Sequence, residues 1–302
     1  MKNDPAINPD MAAAPFSRRT ALKALFAQAV GLSFPLPGHS SVDAPLRIGL
    51  TPVFLDDQIG FLTHWREWLE RKLGQRVQFV QRGSYREVIE LLRTSKIDFA
   101  WLCGYPYVRY RDELRLVAVP LWRGEPTYHS YLIVDRSQPQ LRRLTDLRRK
   151  VFAYSDPDSN SGFLYPQYSI AQSGENPAKF FARTFFTWAH RKVIEAVGTG
   201  LAAGGAVDGY VWETLAEIYP QLVQGTQIIE RSPPFGFPPF VANKNIPEAL
   251  ETRFRTALLN MADDANGAQL LRLLRLDGFT TADDTLYDSI AWMAAYLNLP
   301  RT

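Results

Sequence analysis

Along the chain, short runs of apolar and β-branched residues alternate with segments whose apolar positions recur every three to four residues. Arg47 to Leu50 reads as a strand ending at Thr51-Pro52, and Phe61, Trp65, Leu69 and Leu73 follow at helical spacing until Gly74. Val77 to Val80 reads as a second strand. Ser84, with Glu87 three residues on, forms a capping box, and Val88, Ile89, Leu91 and Leu92 supply the buried stripe of the helix behind it. Phe99 to Leu102 predicts a third strand running into Cys103, and Leu116 to Leu121 a fourth. Strands and helices in this alternation build a largely parallel sheet covered by helices on both faces.

A second α/β series follows: Tyr128 to Val134, Val151 to Tyr154, a helix near Pro177, another near His190, then strands over Val207 to Val211 and Gln227 to Glu230. Ser232 to Pro239 holds four prolines and a glycine in eight residues, which excludes a central strand and predicts a stiff crossover into Phe240-Val241-Ala242. The helical stripe Leu250, Phe254, Leu258 and Met261 belongs to a C-terminal stretch expected to cover the sheet face of the first unit. The expected organisation is an export segment over 1–44, a first lobe over 45–125, a second lobe inserted over 126–235, and a return to the first lobe over 236–302. Two crossings make a hinge. Ligands of open α/β sheets lie beyond the carboxyl ends of the strands, so Thr51, Cys103, residues 159–162 and the loop after Val211 are expected to face one cleft.

Composition narrows the function classes. An apolar fraction of 46% in 302 residues is that of a globular chain, and a net charge of +3 with no long Lys/Arg run gives no footprint for nucleic acid. Ser17-Arg18-Arg19-Thr20-Ala21-Leu22-Lys23, followed by an apolar run to Phe34 too short to span a bilayer, resembles a twin-arginine export signal and predicts a periplasmic protein. The single cysteine, Cys103, excludes an internal disulfide. His39, His64, His129 and His190 show no metal-ligand spacing, so neither metal nor cofactor is expected.

The candidate chemistry begins at Asp156 to Gly162, Asp-Pro-Asp-Ser-Asn-Ser-Gly, set between the strand Val151 to Tyr154 and the helix-compatible stretch Phe163 to Gln172. A strand that restarts as a helix through such a turn leaves N–H groups and the Ser159 and Ser161 hydroxyls able to hold a small oxygen-rich ligand. The same serines also serve as ordinary helix caps.

Several segments in order resemble the periplasmic phosphonate-binding family: Asp98 to Leu102, Gly124 to Tyr131, Asp156 to Gly162 with Pro166, His190 ahead of Ala206-Val207-Asp208-Gly209, and Leu276 to Phe279 with Tyr287-Asp288. The resemblance implies the α/β two-lobe periplasmic-binding-protein fold, type II or flytrap, each lobe a mostly parallel sheet flanked by helices. It implies a ligand site drawn from Cys103, Gly104, Tyr105, Tyr128, Ser159, Asn160, Ser161, Gly162, His190 and Asp208. Asn160 stands where the family commonly has Thr and adds an acceptor. Cys103, at the ligand end of a strand, resembles a branch that senses arsenite for a membrane histidine kinase, since a thiol suits a thiophilic metalloid, As(III), better than a phosphonate. The expected function is therefore binding of arsenite as a sensor, or of phosphonate or phosphite as the soluble component of an ABC permease system. An enzyme with Cys103 as nucleophile and His129 or His190 as base would need an oriented Cys–His pair, and no catalytic residue is assigned. Cys103, His190 and Asp208 each retain a purely structural alternative, as a buried apolar group, a helix start and a backbone acceptor.

Overall fold

The computed structural model describes residues 44–51 and 59–299. The expected export signal lies outside the described residues, as does Pro52.

Among the described residues, thirteen strands are distributed over two main sheets and a small ribbon. They are β1 (Leu46–Leu50), β2 (Val77–Gln81), β3 (Phe99–Trp101), β4 (Leu114–Leu121), β5 (Thr127–Tyr128), β6 (Ser130–Asp135), β7 (Val151–Tyr154), β8 (Arg183–Phe186), β9 (Gly204–Asp208), β10 (Thr226–Arg231), β11 (Phe235–Gly236), β12 (Phe240–Asn243) and β13 (Gly278–Thr280). The helices are α1 (Ile59–Leu73), α2 (Tyr85–Arg93), α3 (Gly104–Tyr110), α4 (Tyr165–Gln172), α5 (Pro177–Phe180), α6 (His190–Gly198), α7 (Gly209–Ile218), α8 (Pro220–Val223), α9 (Glu248–Leu259), α10 (Ala265–Leu274) and α11 (Asp288–Tyr296).

The first sheet has the order β13-β4-β12-β3-β1-β2, and the second β10-β6-β9-β7-β8. In the first, β1, β2 and β3 pair in parallel, and the return strand β12 runs antiparallel between β3 and β4. In the second, β7 pairs in parallel with β8 and β9, while β6 runs antiparallel between β9 and β10. Most strands of each sheet therefore share one direction; the strands that run against it are β12 and β13 in the first and β6 in the second. Every residue of β3 is buried because neighbours pair on both edges and helices cover both faces. Its Trp101 stacks on Phe240 at 5.2 Å, and Phe99 meets Phe254 of α9 at 4.2 Å, so the C-terminal return is sealed by aromatic packing. Burial of each such side chain contributes on the order of 1.5–3 kcal/mol.

The crossings between lobes pair with one another. Phe235 opposes Tyr128 and Gly236 opposes Thr127, and the Phe237 N–H donates to the Pro126 carbonyl at 2.8 Å. The proline-rich segment is thus one arm of a short antiparallel ribbon at the hinge.

Two expectations need correction. The strand placed at Val207 to Val211 is β9 and ends at Asp208; Gly209 already begins α7, because the Asp208 carboxylate accepts from the Tyr210 and Val211 N–H groups at 2.8 and 3.3 Å. The feature at that sheet end is consequently a helix start, with no loop after Val211. The C-terminal helices do not all cover the first sheet: α11 packs on α3 and reaches α4 of the second lobe. Finally, β8 and β13 were not anticipated.

Candidate functional site

Five elements converge where the lobes meet: the segment after β3 at Cys103, the start of α2 at Tyr85, the ribbon at Tyr128, the turn after β7, and the end of β9 beside the start of α6. The turn gives the site its shape. Asn160–Leu164 forms one turn of π-helix ahead of α4, a widened geometry common at functional sites. Ser159 caps it, its Oγ accepting from the Gly162 N–H at 3.0 Å. Gly162 allows the closest approach: a Cβ there would lie 1.8 Å from Ser155 Oγ and 3.1 Å from His190 Cε1.

Asn160 is fully buried and bridges the lobes. Its backbone N–H donates to Cys103 Sγ at 3.3 Å and its Nδ2 to the Tyr128 hydroxyl at 3.0 Å. Among the described residues its Oδ1 has no hydrogen-bond partner, and neither do the Ser155 and Ser161 hydroxyl oxygens. Buried polar atoms are nearly always paired, so these three oxygens are the candidates on this turn for receiving polar groups of a ligand. One of them, Asn160 Oδ1, can only accept.

Cys103 lies two residues beyond β3 and stands at the start of α3 without capping it through its side chain. Burial pushes its thiol up to about 11, partly offset by the Asn160 and Tyr105 N–H groups, so it is protonated at neutral pH. Burial drives His190 down to about 3. The Asp208 N–H donates to His190 Nδ1 at 3.1 Å, which leaves the imidazole proton on Nε2, 3.4 Å from the Tyr85 hydroxyl oxygen. Burial raises Asp208 to about 7 against the pull of its two backbone donors. Burial also lifts the Tyr85 and Tyr128 hydroxyls well above their ordinary range.

The seam around this pocket is polar. Asp156 accepts from the Tyr85 N–H at 3.0 Å and from the Asp158 N–H at 2.8 Å. Arg109 donates to Asp158 at 2.5 Å, with Arg86 3.5 Å from its other oxygen.

Of the residues singled out from sequence, Cys103, Tyr128, Asn160, Ser161, His190 and Asp208 are brought together. Gly104 opens α3, where a Cβ would meet Ile290 at 2.7 Å, so its smallness serves packing on α11. Tyr105 lies 5.6 Å from the Arg109 guanidinium, on the seam. Ser159 spends its hydroxyl on the cap. His129 is bound at the hinge to the Ser232 carbonyl at 2.7 Å, and neither it nor His190 is hydrogen-bonded to Cys103. Among the described residues, no cluster of three His, Cys, Asp or Glu could hold a metal ion. Tyr85, Ser155, Arg109 and the carboxylates of Asp156 and Asp158 were not anticipated at the site; the two aspartates lay within the turn motif, but their partners sit in the other lobe.

The family model for the periplasmic substrate-binding protein of phosphonate ABC transporters matches residues 48–287. The phosphonates-binding periplasmic protein of Escherichia coli is 24% identical over 271 residues, covering 86% of this chain and 79% of the relative. A binding protein of a phosphonate transporter from Pseudomonas aeruginosa superposes with a TM-score of 0.78 at 21% identity, over 85% of this chain and 87% of that one. A Prochlorococcus marinus protein solved with methylphosphonate gives 0.76 at 21% identity, over 84% and 98%. These likenesses show the two-lobe, type II fold.

Proposed function

The chain belongs to the family of periplasmic phosphonate substrate-binding proteins of ABC transporters, and from that premise we propose that it closes its lobes on arsenite and reports it to a membrane histidine kinase. The observation that carries this reading is Cys103 Sγ facing the Asn160 N–H across the cleft, beside an acceptor, Asn160 Oδ1, that asks for a ligand O–H. Arsenite at neutral pH is an uncharged triol around a thiophilic atom. Condensation forms one As–S bond and breaks one As–O bond, the thiol proton leaving with the hydroxyl as water. The two remaining hydroxyls match Asn160 Oδ1 and the Ser155 and Ser161 oxygens, and His190 Nε2–H and Tyr128 complete the cage. Ser159, Gly162, Gly104, Tyr105 and Asp208 shape it. The protein would act in the periplasm after twin-arginine export.

The second reading is uptake of phosphonate or phosphite through an ABC permease. It is favoured by the family itself and by relatives described as a phosphite-binding protein and as a complex with methylphosphonate. The family consists of substrate-binding proteins and supplies no enzymatic activity.

Calorimetric titration of arsenite, phosphite and methylphosphonate into wild type and Cys103→Ser separates the readings. We expect arsenite to bind wild type and the variant to lose at least about tenfold in affinity, equivalent to about 1.4 kcal/mol, while remaining folded. Undiminished arsenite binding by the variant would exclude the thiol, and binding of phosphite or methylphosphonate alone would establish the second reading.

A further inference from the structure

Asp156 and Asp158 leave the second lobe from the turn that carries the ligand-facing oxygens, yet their carboxylates engage the first lobe. Asp156 Oδ2 accepts from the backbone N–H of Tyr85, the first residue of α2. A first-turn N–H has no partner within its own helix, so a residue of the opposite lobe supplies it. Asp158 pairs with Arg109 of α3, and the two side chains are only 5% and 12% exposed. Arg109 is steadied on its own lobe by the rings of Tyr105 and Tyr110, at 5.6 and 5.5 Å, and Asp158 by its N–H bond to Asp156. Both partners are thus held in place before they meet.

The geometry points to an interlobe carboxylate clasp, Asp156 on the Tyr85 N–H and Asp158 on Arg109, that sets the closed fraction of the molecule and thereby its affinity without touching the ligand. This rests on the reading that the lobes open and close around the site. Separation of the lobes hydrates Asp156, Asp158 and Arg109, so the clasp contributes the difference between a buried, oriented pair and the same groups in water. Apparent affinity scales with the fraction of molecules in the binding-competent form, so a weakened clasp raises the dissociation constant of every ligand by one common factor. A residue that contacts ligand would instead shift each ligand differently. Arg109 and Asp158 are positioning residues in this scheme.

The test uses the full exported chain as Asp158→Asn, Arg109→Gln and the exchanged pair Asp158→Arg with Arg109→Asp. Small-angle scattering without ligand is expected to give a larger radius of gyration for both single variants than for wild type. Sodium arsenite and methylphosphonate are then titrated, and whichever binds wild type is expected to bind the single variants about tenfold more weakly. The loss should lie in faster dissociation, with association changed by less than about threefold. The exchanged pair should recover at least half of the loss on a logarithmic scale. Because the open form leaves these groups in water, the variants should melt within a few degrees of wild type; should Asp158→Asn fail to fold, Arg109→Gln and the exchanged pair carry the same comparison. Wild-type affinity and scattering in the single variants would overturn the clasp, as would weak single variants that the exchange does not rescue once Arg86, 3.5 Å from Asp158, is also changed to Gln. If neither ligand binds wild type, the proposed ligands fail while the scattering comparison still decides the clasp.

Discussion

Gly162 is the residue at the site with least room to change. The steric demand is close approach, since its Cβ would stand 1.8 Å from Ser155 Oγ and 2.7 Å from Ser155 Cβ. Gly162→Ala must displace Ser155 or unwind the π turn, at a cost on the order of 1–3 kcal/mol. Chemical denaturation should show that loss, and calorimetry a drop in ligand affinity of more than about tenfold; unchanged values would mean that the turn relaxes freely. Two other buried residues tie stability to pH in opposite directions. His190, held down to about 3, supplies stability that is complete above its ordinary value near 6.5 and is lost as pH falls toward 3. Asp208, raised to about 7, favours the fold fully below its ordinary value near 3.8, and that contribution is lost as pH rises through 7. Between about pH 4 and 6.5 the two slopes oppose one another. Asp208→Asn should therefore melt progressively lower relative to wild type as pH is taken from 6.5 to 4.5, and His190→Gln progressively lower as pH is raised from 4.5 to 7. Parallel melting curves across that range would show that neither group is coupled to folding.

At the scale of elements, legibility followed from how local the cause is. The capping box at Ser84 is written within four residues, and in the structure Ser84 Oγ accepts from the Glu87 N–H. The strand Val151 to Tyr154 is a contiguous apolar run and stands where it was expected. By contrast, β8 is an edge strand with two exposed and two half-buried residues, Arg183-Thr184-Phe185-Phe186, so no alternation marked it. The end of β9 was misread because Val207 and Val211 have β-type side chains, whereas the Asp208 cap between them decides where the helix begins. The Ser159 to Gly162 turn shows the capping role anticipated for it. Ser159 takes the cap, and that frees Asn160 and Ser161 from it. Ser159→Ala should accordingly cost about 1 kcal/mol of stability, as lost caps do. It should also loosen ligand binding through the displaced Asn160, measurable by denaturation and titration; a stability loss with intact binding would confine Ser159 to the helix.

Across the whole molecule, chain order made legible the return of the proline-rich segment to a strand of the first sheet, β12. The contacts that join the lobes were invisible in the sequence, since their partners are far apart: Tyr85 and Asp156 are separated by 71 positions, Tyr85 and His190 by 105. The same holds for α11, whose stripe fits a sheet-covering helix but which instead presents Trp292 to Tyr168 of α4 at 5.2 Å, with Tyr296 completing the cluster at 5.4 Å from Tyr168. Trp292 is 55% exposed, so its environment depends on that ring and on water. Trp65 and Trp68 lie buried in the first lobe's core and should be insensitive to hinge motion. Separation of the lobes would carry α4 away from α11 and leave Trp292 facing solvent. Ligand-driven closure should therefore change the emission of Trp292. Trp292→Phe, which keeps a ring against Tyr168, should remove that part of the ligand-induced emission change while calorimetric affinity stays within about threefold; a full emission change in the variant would place the moving boundary elsewhere than between α4 and α11.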